Sequence, residues 1–291
     1  MFCKIIFDGL WGYWKGSAGM DFKKQVDKAH KAIVKHMGDI RPIMAIILGS
    51  GMGELAENVE NKKTLSYGDI PGFPSSSVKG HKGQFVYGLI ENKPVLFMQG
   101  RIHLYENPDL NQIKLIIRTL KSLTDNLIIT AAVGALTKDL PQGDVALVTN
   151  HINLMETNPL IGANDDAFGP RFPSLDQAYD PEFNQRFLSI AKKLNIPLHQ
   201  AVYLGYRGPY FETSAETEAY RKLGGDVVGM STIPEVIVAR HCGLKVAALA
   251  SITDYATGIS SEAPSHENTL AIAKIAGDKI QKLLKQFIQE F

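Results

Sequence analysis

Ile43-Met44-Ala45-Ile46-Ile47-Leu48-Gly49-Ser50-Gly51-Met52-Gly53 is an unbroken apolar run that opens into a glycine-rich turn. Such a run, short and bounded by glycine, reads as a buried strand, and a strand buried on both faces belongs to a sheet covered by helices on both sides. The turn admits two readings. Its glycines let backbone N–H groups approach an anion while Ser50 adds a hydroxyl donor; equally, it is a tight strand-to-helix connection. It lacks the Lys-Ser/Thr of a P-loop, and no matching glycine or well-placed acid completes a dinucleotide fingerprint.

Outward from that run, strand-like segments alternate with helical patterns. Phe85–Ile90, Val95–Met98, Leu127–Thr130, Val145–Val148, Ala201–Leu204, Val227–Met230 and Val246–Ile252 are apolar and bounded by Gly, Asn or Pro, as short strands are. Helical periodicity appears over Leu110–Leu123, Pro181–Leu194, Ser214–Leu223, Pro234–Cys242 and His266–Ile288, and in the stripe Val26, Ala29, Ile33, Val34, Met37. The alternation predicts an α/β fold: a single domain with a mixed, mostly parallel β-sheet flanked by helices. The domain is expected over residues 20–291. Residues 1–19 mix Phe2, Trp11 and Trp14 with Asp8, Gly9 and Gly12 in no regular period, which fits neither a signal peptide nor a helix; they read as an N-terminal extension, with Met20 a possible native start.

Composition narrows the function. The chain has 291 residues, 45% of them hydrophobic, which is ample for one large core. Net charge is +1 with Lys and Arg scattered, so there is no basic stripe for nucleic acid, and no apolar run is long enough to span a bilayer. Cys3 and Cys242 are the only cysteines, and the eight histidines show no HExxH spacing; no metal site is expected, and a reducing, cytoplasmic setting fits best. Cys242 lies at a helix end and reads as a structural thiol.

In a sheet of this kind ligands gather beyond the carboxyl ends of the strands. After Val95–Met98 comes Gln99-Gly100-Arg101-Ile102-His103-Leu104-Tyr105, where alternation would aim Arg101, His103 and Tyr105 to one side if the strand continues. Arg101 offers a planar fork for an anion and His103 a donor chargeable near neutrality. With the Gly49–Gly53 turn they suggest a phosphate site. Gly208-Pro209-Tyr210-Phe211-Glu212-Thr213 places an aromatic face and an acceptor after a turn, a pair suited to a planar base edged with N–H groups; alternatively Glu212 only complements the dipole of the helix that follows. Gly229-Met230-Ser231-Thr232 and Thr253-Asp254 add a hydroxyl and a second carboxylate, and Asn153–Asp180, rich in Asn, Asp, Pro and Gly, reads as a functional loop.

These segments, taken in order with Gly80-His81-Lys82-Gly83, His151-Ile152-Asn153, Phe168-Gly169-Pro170-Arg171-Phe172-Pro173 and Gly229–Gly243, resemble the trimeric class of purine nucleoside phosphorylases from about residue 24 to the C-terminus. The resemblance implies the nucleoside phosphorylase fold, a homotrimer, and reversible phosphorolysis of purine (2'-deoxy)ribonucleosides to free base and pentose 1-phosphate. No cofactor is implied, inorganic phosphate being a co-substrate. By motif, Ser50, His81, Arg101, His103, Ser231 and the backbone at Ala132 would hold phosphate. Tyr105, Tyr203, Met230 and His266 would line the ribose, with Phe172 reaching in from a neighbouring subunit. Phe211, Glu212, Thr253 and Asp254 would bind the base, and His103, Glu212 and Asp254 would carry the catalysis.

Two positions depart from the family pattern. Asp254 stands where phosphorylases of 6-oxopurines carry Asn; an ionised carboxylate accepts but cannot donate, which suits a 6-amino group. Thr130-Ala131-Ala132-Val133-Gly134 stands where Thr-Asn-Ala-Ala-Gly is more usual, removing a side-chain amide. Asp254 resembles the related methylthioadenosine phosphorylases, whereas Glu212 matches the 6-oxopurine enzymes and His266 favours a 5'-hydroxyl. A phosphorylase of methylthioadenosine or adenosine is therefore the nearest alternative, and a non-catalytic nucleoside-binding protein a remote one.

Overall fold

A computed structural model describes residues 22–74, 82–261 and 266–291, the side chains of residues 266–270 excepted. The expected extension at 1–19 and the phosphate role of His81 lie outside the described residues. Strand β1 (Met44–Leu48) is buried along its whole length and lies between β4 (Lys93–Gln99) and β5 (Asn126–Ala135), parallel to both. Antiparallel β3 (Gln84–Ile90) and β2 (Glu60–Ser66) extend the sheet beyond β4. On the other side follow β8 (Val227–Gly229), β7 (Leu198–Tyr206), β6 (Val145–Leu154) and β9 (Lys245–Tyr255), and β9 returns to pair with β5. The second half of the sheet therefore closes on itself. Pairing is parallel at β1–β4, β1–β5, β5–β9, β6–β7 and β7–β8 and antiparallel at β2–β3, β3–β4, β5–β8 and β6–β9.

Period-two alternation assigns each strand face to its own core. In β1, Ala45 and Ile47 join the cluster formed with α1 (Phe22–Met37), α2 (Leu110–Lys121) and α5 (Ile233–His241); Met44, Ile46 and Leu48 join the one formed with α3 (Pro181–Leu194) and α6 (His266–Gln289). Phe187 of α3 stacks on Phe287 of α6 at a centroid distance of 4.2 Å. A smaller cluster of Leu204, Tyr206, Tyr220 and Val228 seats α4 (Ser214–Lys222). The helix starts follow their sequence signals: Asp180 accepts from Phe183 N–H ahead of Pro181, and Thr213 and Glu216 form a reciprocal capping box. Cys242 is buried, its Sγ 3.5 Å from the Ala239 carbonyl, and burial pushes its thiol up to about 11, as a structural thiol requires.

Two irregularities position the site. Between β5 and β9 the register slips: Ile252 faces Val133 but Asp254 faces Gly134, so Thr253 is the extra residue of a β-bulge and the strand is re-aimed there. Gly100, at φ +125°, ends β4 one residue before Arg101. Residues 101–103 have no regular structure and 104–106 form a turn, so the strand does not continue through Arg101, His103 and Tyr105, although all three side chains reach one cleft.

Candidate active site

A cleft opens beyond the carboxyl ends of β1, β4, β5, β8 and β9. Ser50, Arg101, His103, Ala132 and Ser231 line one part; Phe211, Glu212, Thr253 and Asp254 line another, with Tyr105 and Met230 also on its wall.

The part lined by Ser50, Arg101, His103 and Ser231 is assembled by contacts between strand ends. Arg101, 2% exposed, donates from Nε to Glu235 at 3.1 Å and from one terminal nitrogen to the Thr130 carbonyl at 3.2 Å and Ser231 Oγ at 2.9 Å. Glu235 balances the buried guanidinium, which would otherwise be costly in this setting. The Thr130 hydroxyl donates to the Ile47 carbonyl at 3.0 Å and accepts from Gly49 N–H at 2.9 Å, so it fixes the turn that carries Ser50. Glycine is required at Gly49 because a Cβ there would stand 2.7 Å from the Thr130 carbonyl. Ser231 is presented by a strained turn: Thr232 sits at φ 69°, ψ −55°, with Ile233 N–H bonded to the Ser231 carbonyl, a γ-turn of the rarer hand. The Tyr203 hydroxyl accepts from Ser231 N–H at 3.2 Å.

His103 is oriented by Glu106, which accepts from Nδ1 at 2.7 Å and from the His103 backbone N–H at 3.2 Å. With the proton on Nδ1, the other ring nitrogen is an acceptor in the neutral ring and a donor when the ring is charged. The ring stacks on Tyr105 at 4.7 Å. Burial pushes the Tyr105 hydroxyl up to about 12, so it remains a donor at neutral pH.

The other part carries two buried carboxylates. Glu212, 4% exposed, accepts from Thr257 N–H at 2.9 Å and lies 3.3 Å from the Tyr206 hydroxyl. The helix-dipole alternative for Glu212 therefore fails, since Thr213 and Glu216 cap α4. Asp254, 5% exposed, is delivered to the cleft by the bulge at Thr253, whose own hydroxyl donates to the Val133 carbonyl at 3.2 Å. Phe211 is 43% exposed and presents a ring at the mouth. Gly208 has φ +69°, and a Cβ there would meet Met230 Sδ at 2.4 Å, so this glycine sets how closely the loop approaches Met230.

One expectation is corrected. Tyr203 is fully buried and absent from the cleft wall; its hydroxyl is bound to Ser231, so it supports the site from beneath instead of lining a sugar pocket. Phe172 lies outside this chain's own cleft, 88% exposed, on a loop braced by Arg171, which donates to the Leu160 and Gly162 carbonyls. The role assigned to the His266 side chain falls outside the described residues, its backbone beginning α6. Glu235, Glu106, Thr130 and Tyr206 were missed; of these only Glu235 had a local signal, an acid in the first turn of a predicted helix.

Among the described residues there is no group of three or more His, Cys, Asp or Glu side chains placed to hold a metal ion, and no helix long and apolar enough to cross a membrane.

Residues 43–289 match the family model described as the phosphorylase superfamily. The chain is 40% identical over 270 residues to purine nucleoside phosphorylase 1 of Bacillus subtilis, covering 92% of this chain and 99% of the relative. It is 40% identical over 255 residues to purine nucleoside phosphorylase of Rattus norvegicus, covering 84% and 87%. The crystal structure of Schistosoma mansoni purine nucleoside phosphorylase in complex with adenosine superposes with a TM-score of 0.87 at 37% identity, covering 92% of this chain and 97% of that one. The same enzyme in complex with inosine gives 0.86 at 37% identity, covering 92% and 96%.

Proposed function

This chain belongs to the purine nucleoside phosphorylases of the phosphorylase superfamily, and on that premise we propose that it catalyses reversible phosphorolysis of purine nucleosides to free base and pentose 1-phosphate. The observation that carries this reading is the convergence, on one cleft, of an arginine–histidine–serine cluster with an aromatic ring and two buried carboxylates. Phosphate held by Ser50, Arg101, His103, Ser231 and the backbone at Ala132 attacks the anomeric carbon as the bond to the purine nitrogen breaks. The electron pair of that bond leaves with the base, and the sugar passes through a cation-like transition state, as in glycoside hydrolysis. The phosphate stabilises the developing sugar cation and then supplies the bonding oxygen, so no covalent enzyme intermediate or organic cofactor is needed. His103, held by Glu106, is poised to bind either protonation state of phosphate.

Tyr105, Met230 and the His266 side chain fit the sugar, and Phe211, Glu212, Thr253 and Asp254 the purine. Phe172, exposed on its braced loop, suits a homotrimer in which it covers a neighbour's sugar pocket. The nucleosides bound by the Schistosoma mansoni relatives support a small-molecule substrate, and the reading places the reaction in a cytoplasmic setting within a single domain over residues 20–291. Product analysis tests the reading: inosine and inorganic phosphate should yield a sugar 1-phosphate by phosphorus NMR, and formation of unphosphorylated pentose would overturn it.

Asp254 on the cleft wall favours a second reading, in which 6-aminopurine nucleosides such as adenosine or methylthioadenosine are the better substrates. An ionised Asp254 accepts from a 6-amino group and repels negative charge growing on a 6-oxopurine, whereas Glu212 accepts from N1–H, which hypoxanthine and guanine have and adenine lacks. Asp254→Asn should raise inosine turnover relative to adenosine turnover; an unchanged ratio contradicts a role for Asp254 in base choice.

A further inference from the structure

Gln99 ends β4, two residues before Arg101, and is 3% exposed. Its side-chain amide is satisfied on every side: Nε2 donates to the Gly53 carbonyl at 2.8 Å and to Glu57 Oε1 at 2.8 Å, and Oε1 accepts from Gln84 Nε2 at 2.6 Å. Its backbone carbonyl accepts from Gly83 N–H at 2.9 Å. Glu57 gathers two more donors, Lys82 Nζ at 2.6 Å on Oε1 and Lys62 Nζ at 2.5 Å on Oε2, and these hydrogen bonds hold its carboxyl down at about 2.

The position of this cluster gives it a consequence for the cleft. The Gly49–Gly53 turn is anchored at its first residue by Gly49 N–H on Thr130 and at its last by the Gly53 carbonyl on Gln99. Ser50 lies between the two anchors. Thr130 also receives Arg101, and Gln99 leads directly into the segment that carries Arg101. Both anchors thus tie the serine turn to the segments that hold the guanidinium.

We propose that Gln99, held by Glu57, is a positioning residue for phosphate: it sets the separation of the Ser50 turn from Arg101 without touching substrate. This rests on the phosphorolysis reading above. Gly53, Glu57 and Gln84, the partners of the Gln99 amide, lie off the cleft wall, and the turn they anchor carries Ser50 and none of Phe211, Glu212 or Asp254, so loss of Gln99 is felt by phosphate and not by the base. Misplacing one donor of a clustered anion site weakens binding well beyond the single bond, because the donors act as a set.

The test compares Gln99→Leu, Glu57→Ala and Glu57→Gln with the unaltered chain, reading KM for phosphate, KM for nucleoside, kcat, and inorganic phosphate affinity by calorimetry without turnover. Gln99→Leu should raise KM and Kd for phosphate about tenfold while nucleoside KM and kcat at saturating phosphate stay within about twofold. Glu57→Ala should shift in the same direction. Glu57→Gln, which keeps an oxygen acceptor for Gln99 Nε2, should recover most of the loss. If Gln99→Leu does not fold, the Glu57 pair decides. Unchanged phosphate affinity in folded variants, or equal losses for phosphate and nucleoside, overturns the positioning role; unaltered protein that binds phosphate yet turns over no nucleoside overturns the phosphorolysis reading alone. Unaltered protein that binds no phosphate overturns both.

Discussion

Gly49→Ala is the substitution whose effect follows most directly from the geometry. A Cβ at this position would lie 2.7 Å from the Thr130 carbonyl oxygen and 2.9 Å from Ala131 Cα. Both are backbone atoms of β5, a strand paired on both sides, so neither can yield cheaply. Forcing the turn away costs about 1–3 kcal/mol of overpacking. Loss of the 2.9 Å bond from Gly49 N–H to the Thr130 hydroxyl adds about 1 kcal/mol. The expected destabilisation is about 2–4 kcal/mol, or roughly 4–8 °C in Tm for a domain of this size. Because the same shift moves Ser50, phosphate KM should rise more than nucleoside KM. Gly53→Ala is the internal control: its Cβ would meet Gln99 Nε2 at 3.5 Å, an ordinary contact, and should change stability by no more than about 0.5 kcal/mol. Thermal melts and steady-state kinetics on both variants make the comparison. Equal Tm and equal phosphate KM for Gly49→Ala and Gly53→Ala would refute the claim that close backbone packing, and not glycine content as such, shapes the serine turn.

Phe172→Ala should leave chain stability within about 0.5 kcal/mol, since the ring is 88% exposed. If Phe172 covers a neighbour's sugar pocket, losing about 1.5–3 kcal/mol of apolar contact raises nucleoside KM about ten- to a hundredfold; unchanged KM would remove it from the site. Stability should also fall in two stages on acidification. Burial lowers the His151 and His241 ring pKa values below the ordinary 6.5, so the unfolded chain binds these protons first and stability drops as pH falls below about 6.5. Glu57, lowered from 4.5 to about 2 by its hydrogen bonds to Lys62, Lys82 and Gln99, contributes fully above 4.5 and is lost as pH falls toward 2. A Tm that rises between pH 6.5 and 5.5 would contradict the assigned histidine environments.

The sequence made the elements legible where burial imposed a period. β1, β3 and α3 stand close to where their apolar runs place them, because both faces of each strand and one stripe of the helix are committed to a core. β2 escaped notice for the opposite reason: Glu60–Ser66 is an edge strand with almost every residue exposed, so nothing apolar marks it. The return of β9 to β5 and the bulge at Thr253 are long-range pairings that no local pattern encodes. In the cleft, Arg101, His103, Ser50 and Ser231 were readable because polar groups beyond strand ends and glycine turns are conspicuous. Their partners were not: Glu235 lies far from Arg101 in sequence, and Thr130 is one hydroxyl within an apolar strand. Tyr203 illustrates the remaining limit, since strand alternation fixes a side chain's face but not whether it reaches the cleft or stops one layer beneath it.

In this account one cleft brings inorganic phosphate and a purine nucleoside together so that phosphate displaces the base at the anomeric carbon. The most direct measurement is the initial rate of base release from inosine, guanosine, adenosine and methylthioadenosine as inorganic phosphate is varied, with Arg101→Ala alongside. The account predicts a saturable dependence on phosphate, no release in its absence, and loss of that dependence in Arg101→Ala. Base release at the same rate without phosphate, or full activity in Arg101→Ala, would contradict it.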